Sequence, residues 1–282
     1  MTRIIDMRCR PAYLDDFFGA TPGSAANETA RWLNRRVGTR GDDEHYARSR
    51  TPEGFLAEVR DAGLHRAVVV GRHTPRQHLS PQRVHEIVRG HEELLGVAGV
   101  DPVGQGRAAL DAAEHAVKVL GLSAIGIEPG FGTPPRHADD PLYWPLYELA
   151  CALGVPVTLM SGPTTPDPRF NDPAPLAVVA AAFPRLDLVV YHGHWPHTQA
   201  VVGVAFRWPN VHVVPDMYLF QAGSQVFVEA ANTFMADQLL FGSSYPFRPI
   251  RQSIDDASRL GFRDDVVDKV MFENAARVLR LR

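Results

Sequence analysis

The chain has 282 residues, 45% hydrophobic and 22% charged, with a formal net charge of −3 and a sequence pI near 6.5. These proportions belong to a folded globular protein and exclude a disordered or fibrous chain. The near balance of charge argues against nucleic acid or an anionic membrane surface as the main partner. No apolar run approaches the roughly 20 residues of a membrane span. Arg3 interrupts the opening residues before a secretory apolar region can form. Cys9 and Cys151 are too few for a disulfide framework or a Cys-rich zinc site. A cytoplasmic protein is expected.

In chain order, a first strand is expected at residues 3–9. Thr51-Pro52 then opens a helix, an N-cap threonine followed by proline at the first helical position. A strand at 66–71, a helix opened by Ser80-Pro81, a strand at 95–100 and a helix at 107–120 follow. Next come strand 124–128, helix 141–153 stopped by Gly154, strand 155–160 and helix 174–183. Strand 186–191, helix 197–208, strand 211–215, helix 227–235 and strand 238–242 continue the alternation, which ends with helices at 250–260 and 264–281. The strands are short continuous runs of Val, Ile and Leu, as expected where both faces are covered. Strands alternating with helices imply right-handed βαβ crossovers and a parallel sheet. The count and the length favour an α/β fold closed as a (β/α)₈ TIM barrel. A doubly wound sheet would more often carry a Gly-rich phosphate turn after its first strand, and none is present. One domain is expected. Residues 11–50, with Tyr13, Phe17, Phe18, Trp32 and a charge-rich 35–43, read as a long irregular insertion on the mouth face. Its aromatics point to a lid or an interface.

Side chains alternate along a barrel strand, so Asp6, Arg8 and Arg10 share one face. Two guanidiniums side by side call for an anion, and the planar fork of arginine suits a carboxylate. The sixth strand runs out into His192-Gly193-His194-Trp195-Pro196-His197, a junction suited to acid–base chemistry. Glu128 ends the fourth strand before Pro129-Gly130, Asp216 ends the seventh, Arg72 and His73 follow the second, and Ser244 and Tyr245 follow the eighth. All of these polar groups fall at the end of the barrel where active sites sit.

Several stretches recur together and in order. They are Ile4-Ile5-Asp6, residues 67–71 followed by His73-Thr74-Pro75, Gly96-Val97-Ala98-Gly99-Val100-Asp101-Pro102, Asp139-Asp140-Pro141 with Pro145-Leu146-Tyr147, Leu240-Phe241-Gly242-Ser243-Ser244-Tyr245-Pro246 and Glu273-Asn274-Ala275-Ala276-Arg277. Over essentially its whole length the chain resembles the amidohydrolase-related family, which includes decarboxylases, lactonases and hydratases. That resemblance implies a (β/α)₈ barrel. It would normally imply a divalent metal held by an H-x-H pair on the first strand, a His after the fifth, often a His after the sixth and an Asp after the eighth. Here the H-x-H positions are Arg8 and Arg10, the fifth-strand position is Met160, and the eighth-strand position is Ser244. Only His192 remains. No metal and no other cofactor is therefore expected.

Two arginines in place of a dication keep positive charge at the mouth but give up metal activation of water. The reading that follows is a metal-independent hydrolase or lactonase acting on a small carboxylate-bearing substrate, with a cyclic one expected. His192, Asp216, Glu128 and Tyr245 would be its catalytic groups. Arg8, Arg10, His73, His194, Trp195, Ser244 and Met160 would be its substrate contacts. A decarboxylase or other C–C lyase or cyclase, and a non-catalytic binding barrel, are the alternatives. The partner is a small organic acid rather than nucleic acid or membrane, and the insertion's aromatics are compatible with a homodimer.

Overall fold

The computed structural model describes residues 3–11, 13, 21–40 and 43–281. Nine strands are present among them: β1 (Ile5–Cys9), β2 (Arg66–Val70), β3 (Arg72–Thr74), β4 (Gln77–Leu79), β5 (Leu94–Gly99), β6 (Ala124–Ile127), β7 (Val157–Leu159), β8 (Leu188–Tyr191) and β9 (Val211–Val214). Seven of them form one parallel sheet in the order β1-β2-β5-β6-β7-β8-β9, with helices in the intervening stretches, so the TIM-barrel expectation holds. The barrel's interior is packed by Ile5, Met7, Val68, Val97, Val189 and Leu240, while a larger cluster fills the layer between strands and helices. Among the described residues, no helix is long and apolar enough to cross a membrane.

The expected eighth strand at 238–242 is not a regular strand. Residues 238–245 still close the barrel, through Leu240 N–H to Val213 C=O at 2.9 Å, Met7 N–H to Phe241 C=O at 3.0 Å and Arg10 N–H to Tyr245 C=O at 2.9 Å. The ladder breaks because other acceptors take its donors. Phe241 N–H bonds to the Val270 carbonyl, and Ser243 N–H bonds to Asp6 Oδ1 at 3.0 Å.

Two further expectations are corrected. The second strand is followed by an antiparallel hairpin, β3–β4, with Pro75 and Arg76 at its turn. The insertion is not wholly irregular, because its described part holds helices Ala25–Arg36 and Glu44–Arg48. Ser24 caps the first by accepting from Asn27 N–H, with Glu28 in its first turn and Arg35 and Arg36 in its last, each placed to favour the helix dipole. Asn34 Nδ2 donates to the Phe247 carbonyl at 3.2 Å, and Arg40 pairs with Asp256 at 2.7 Å, which fastens the insertion to the barrel. Phe17, Phe18, Gly41 and Asp42 lie outside the described residues.

Candidate active site

The register between β1 and β2 slips between Asp6 and Cys9, so strict alternation does not govern the end of β1. Such a bulge re-aims side chains. Arg8 and Arg10 both lie at the mouth but have different surroundings. Arg8 reaches a cavity of about 740 Å³ at the C-terminal ends of the strands. Its Nη1 donates to Ser244 Oγ at 3.0 Å, its Nη2 lies 3.6 Å from Met160 Sδ, and its Nε is 3.8 Å from Asp216 Oδ2. Arg10 instead donates from Nε to the Val70 carbonyl at 3.0 Å, and from Nη2 to the Gly71 carbonyl and to Glu128 Oε1. It does not line the cavity, because β2's last carbonyls hold its guanidinium beneath the mouth. Arg72 takes the place expected of Arg10: it lines the cavity and pairs with the other oxygen of Glu128 at 2.6 Å.

Glu128 is thus gripped by two guanidiniums rather than presented as a base. Arg10 and Arg72 share Glu128, while Arg8 lies beside Asp216. Burial holds Arg10 well below its ordinary range, and repulsion from Arg8 adds to this. Asp6 lies deeper, with no exposed surface, and burial raises its carboxyl above the usual range.

Asp216 organises the other half of the site. Its Oδ1 is 2.8 Å from His192 Nδ1, and its Oδ2 accepts from the His192 backbone N–H at 3.2 Å. A carboxylate only accepts, so Nδ1 carries the proton and Nε2 keeps its lone pair. Burial pushes the imidazole down to about 4, with Asp216 opposing and Arg8 reinforcing that shift. The ring packs edge-on against Tyr218 at 5.0 Å. His192, Asp216 and Ser244 all have positive φ, at 64°, 46° and 61°. Non-glycine residues held there cost roughly 1–3 kcal/mol each, and such strain gathers at functional sites.

The remaining expected residues are placed as follows. Tyr245 is turned into the outer layer, stacked on Phe55 at 5.7 Å with its hydroxyl donating to the His45 carbonyl at 2.8 Å. Burial raises its phenol further above the ordinary value, so it is no proton donor to the cavity. His194 points into the loop beyond β7, with Nδ1 2.9 Å from the Asn171 carbonyl. Trp195 stacks on Tyr218 at 5.2 Å and donates to the Ala222 carbonyl. His73 sits on the hairpin with its ring 4.3 Å from His78 and does not line the cavity. Met160 and His192 line it, and Ser244 reaches it only through Arg8. The sequence places Arg72 among the polar groups of the mouth without assigning it a substrate contact, and it gives Phe131 and Tyr218 no role.

The donor set does not fit a divalent metal. Of the positions where such barrels would offer ligands, two hold guanidiniums, one a thioether and one a hydroxyl. Arg8's guanidinium lies between Met160 and Ser244, so a fixed side-chain cation occupies the ground between them. Hard divalent ions need several anionic or imidazole donors, and cations in ligand positions oppose them.

A parallel barrel with this mouth defines a TIM-barrel protein whose polar site sits at the C-terminal strand ends. The chain belongs to the amidohydrolase family, whose profile matches residues 5–281. Among solved structures it is similar to an uncharacterized TIM-barrel protein from Bordetella bronchiseptica, with a TM-score of 0.88 and 30% identity over 99% of this chain and 98% of that one. It also shares its fold with 2,6-dihydroxybenzoate decarboxylase from Rhizobium (TM-score 0.64, 19% identity, 100% of this chain and 99% of that one). A third likeness is to a dihydroxybenzoic acid decarboxylase from Polaromonas, solved with bound manganese and 2-nitroresorcinol (TM-score 0.64, 18% identity, 100% and 98%). No curated protein matches the chain.

Proposed function

We propose that this protein is a metal-independent hydrolase acting on a cyclic ester that bears a carboxylate. The observation that carries the reading is the His192–Asp216 pair, which uses His192 Nδ1 and so leaves Nε2 for chemistry, on a residue that lines the same cavity as Arg8. In the reaction, His192 Nε2 takes a proton from water as the oxygen attacks the ester carbonyl. Asp216 stabilises the imidazolium that forms, as the third member of an acid–base relay does. Arg8 stabilises the developing oxyanion or the substrate's carboxylate, and Arg72 widens the cationic wall. The C–O bond then breaks, and the imidazolium returns its proton to the leaving alkoxide, giving a hydroxy acid.

Decarboxylation is the second reading, favoured by the decarboxylases that share the fold. It needs a proton donor at the carbon that loses CO₂, and an imidazole held neutral with Nε2 as acceptor supplies one poorly. Screening carboxylated lactones in ¹⁸O-labelled water tests the two. Label in the new carboxylate, abolished in His192→Asn, supports hydrolysis. Release of CO₂ with solvent deuterium on the carbon overturns it in favour of the lyase.

A further inference from the structure

The cavity extends well beyond the reacting groups. About 740 Å³ falls within the range that encloses a drug-sized ligand. Arg8, Arg72, Met160, His192 and Met217, all buried, line its inner part and bring two guanidiniums to it. The outer half has a different character. Ala26, Thr29, Ala30 and Leu33 of the insertion helix Ala25–Arg36 line it at i, i+3, i+4 and i+7, which is a single helical face. Opposite that face stand Phe131 and the prolines Pro75, Pro135 and Pro166. Two charged residues stand at this rim: Arg76, exposed on the turn of the β3–β4 hairpin, and Asp167, which is held by both Nε and Nη2 of Arg169. Apart from Arg76, Gln77 and Asp167, this part of the lining is made of small and apolar side chains with scattered hydroxyls.

We propose that the substrate is an acid with a second ring, or an apolar group of comparable bulk, seated against the Ala26–Thr29–Ala30–Leu33 face while its anionic end meets Arg8. The proposal rests on the anion-binding part of the functional reading and adds the substrate's size and shape. Ala26 and Ala30 are small where larger side chains would fill the chamber, and Phe131 and the prolines present flat faces suited to a ring. The insertion helix is then a specificity wall.

Calorimetric titration with benzoate and biphenyl-4-carboxylate, and with the uncharged biphenyl-4-carboxamide, tests this. The expected result is that biphenyl-4-carboxylate binds at least tenfold tighter than benzoate. Ala26→Trp and Thr29→Trp, both at exposed positions that put the fold at little risk, erase that preference and leave benzoate unchanged. Arg8→Met weakens both acids but not the carboxamide. Equal affinity for the one-ring and two-ring acids, or a preference untouched by both tryptophans, overturns the proposal while leaving the anion site standing. Acid binding that is indifferent to Arg8→Met, beside a carboxamide that still responds to the tryptophans, removes the functional reading and keeps the specificity wall.

Discussion

Arg8 and Ser244 meet across the seam that closes the barrel, with Nη1 3.0 Å from Oγ. The same guanidinium lies 3.6 Å from Met160 Sδ, so one side chain bridges the ends of β1, β7 and the closing segment. In the proposed reaction that fixed cation stabilises the developing negative charge. Arg8→Met keeps the side chain's length and removes the charge. Turnover should fall about 10²–10³-fold, the usual cost of losing one oxyanion donor. The thermal midpoint should hardly move, because Asp216 retains His192 as its partner. Steady-state kinetics beside a melting curve would show this, and an unchanged kcat would remove Arg8 from the mechanism.

In the proposed reaction the pairing of His192 with Asp216 makes the dyad, rather than either residue, the base. Asp216→Asn should lower kcat by about 10²–10⁴-fold, because an amide no longer fixes the tautomer or stabilises the imidazolium. In the native protein, kcat/KM should be lost as pH falls through about 4, where the buried His192 imidazole protonates. A pH–rate profile measures that limb. An acid limb near the ordinary histidine value of 6.5 would show that the ring is not held as described.

Stability should depend on pH through the same burial. His192 and His194 are both pushed down to about 4 by burial, from an ordinary value of 6.5. Between those values the unfolded chain binds protons that the folded one does not. Stability contributed this way is complete above about pH 6.5 and declines as pH drops toward 4, by about 1.4 kcal/mol per pH unit for each imidazole. Denaturant titrations from pH 7 to pH 4.5 would reveal the slope. His194→Asn, which tolerates the positive φ of 49° at that position, should reduce it by about half.

Glu128 and Tyr245 should behave as structural residues. Glu128→Gln removes the carboxylate shared by Arg10 and Arg72, at 3.1 and 2.6 Å, and should cost about 3–5 kcal/mol, as breaking a buried pair does. Tyr245→Phe loses the hydroxyl's bonds to the His45 carbonyl and to Ser49, worth about 1 kcal/mol each, and should leave turnover unchanged. A large loss of kcat in Tyr245→Phe, with the fold intact, would return that phenol to the site.

Exhaustive chelation should change neither turnover nor the thermal midpoint, because guanidinium, thioether and hydroxyl groups stand where metal donors are needed. Elemental analysis beside the activity assay checks this. Loss of activity restored by added zinc or manganese would contradict it.

The barrel was legible from local patterns. Val-, Ile- and Leu-rich runs stopped by glycine and proline mark the strands, and their alternation with capped helices requires parallel crossovers. Arginines on the first strand, methionine after the fifth and serine after the eighth were equally plain, because residue identity is a local fact. Directions at the strand ends were not legible. Alternation put Arg10 beside Arg8, but a register slip turned it toward the carbonyls of Val70 and Gly71. Tyr245 read as a mouth residue, yet Phe55 and the His45 carbonyl draw it outward.

The union of His192 with Asp216, and the sharing of Glu128 between Arg72 and Arg10, belong to the tertiary structure alone. His192, Asp216 and Ser244 hold backbone angles that their own residue types disfavour, so local preference argues against the conformation each adopts. Contacts between distant segments impose it: Asp216 on the His192 amide, Asp6 on the Ser243 amide and Arg8 on Ser244. Such contacts exist only once the barrel has closed, which is why the chemistry of the mouth could be read from the chain but its geometry could not.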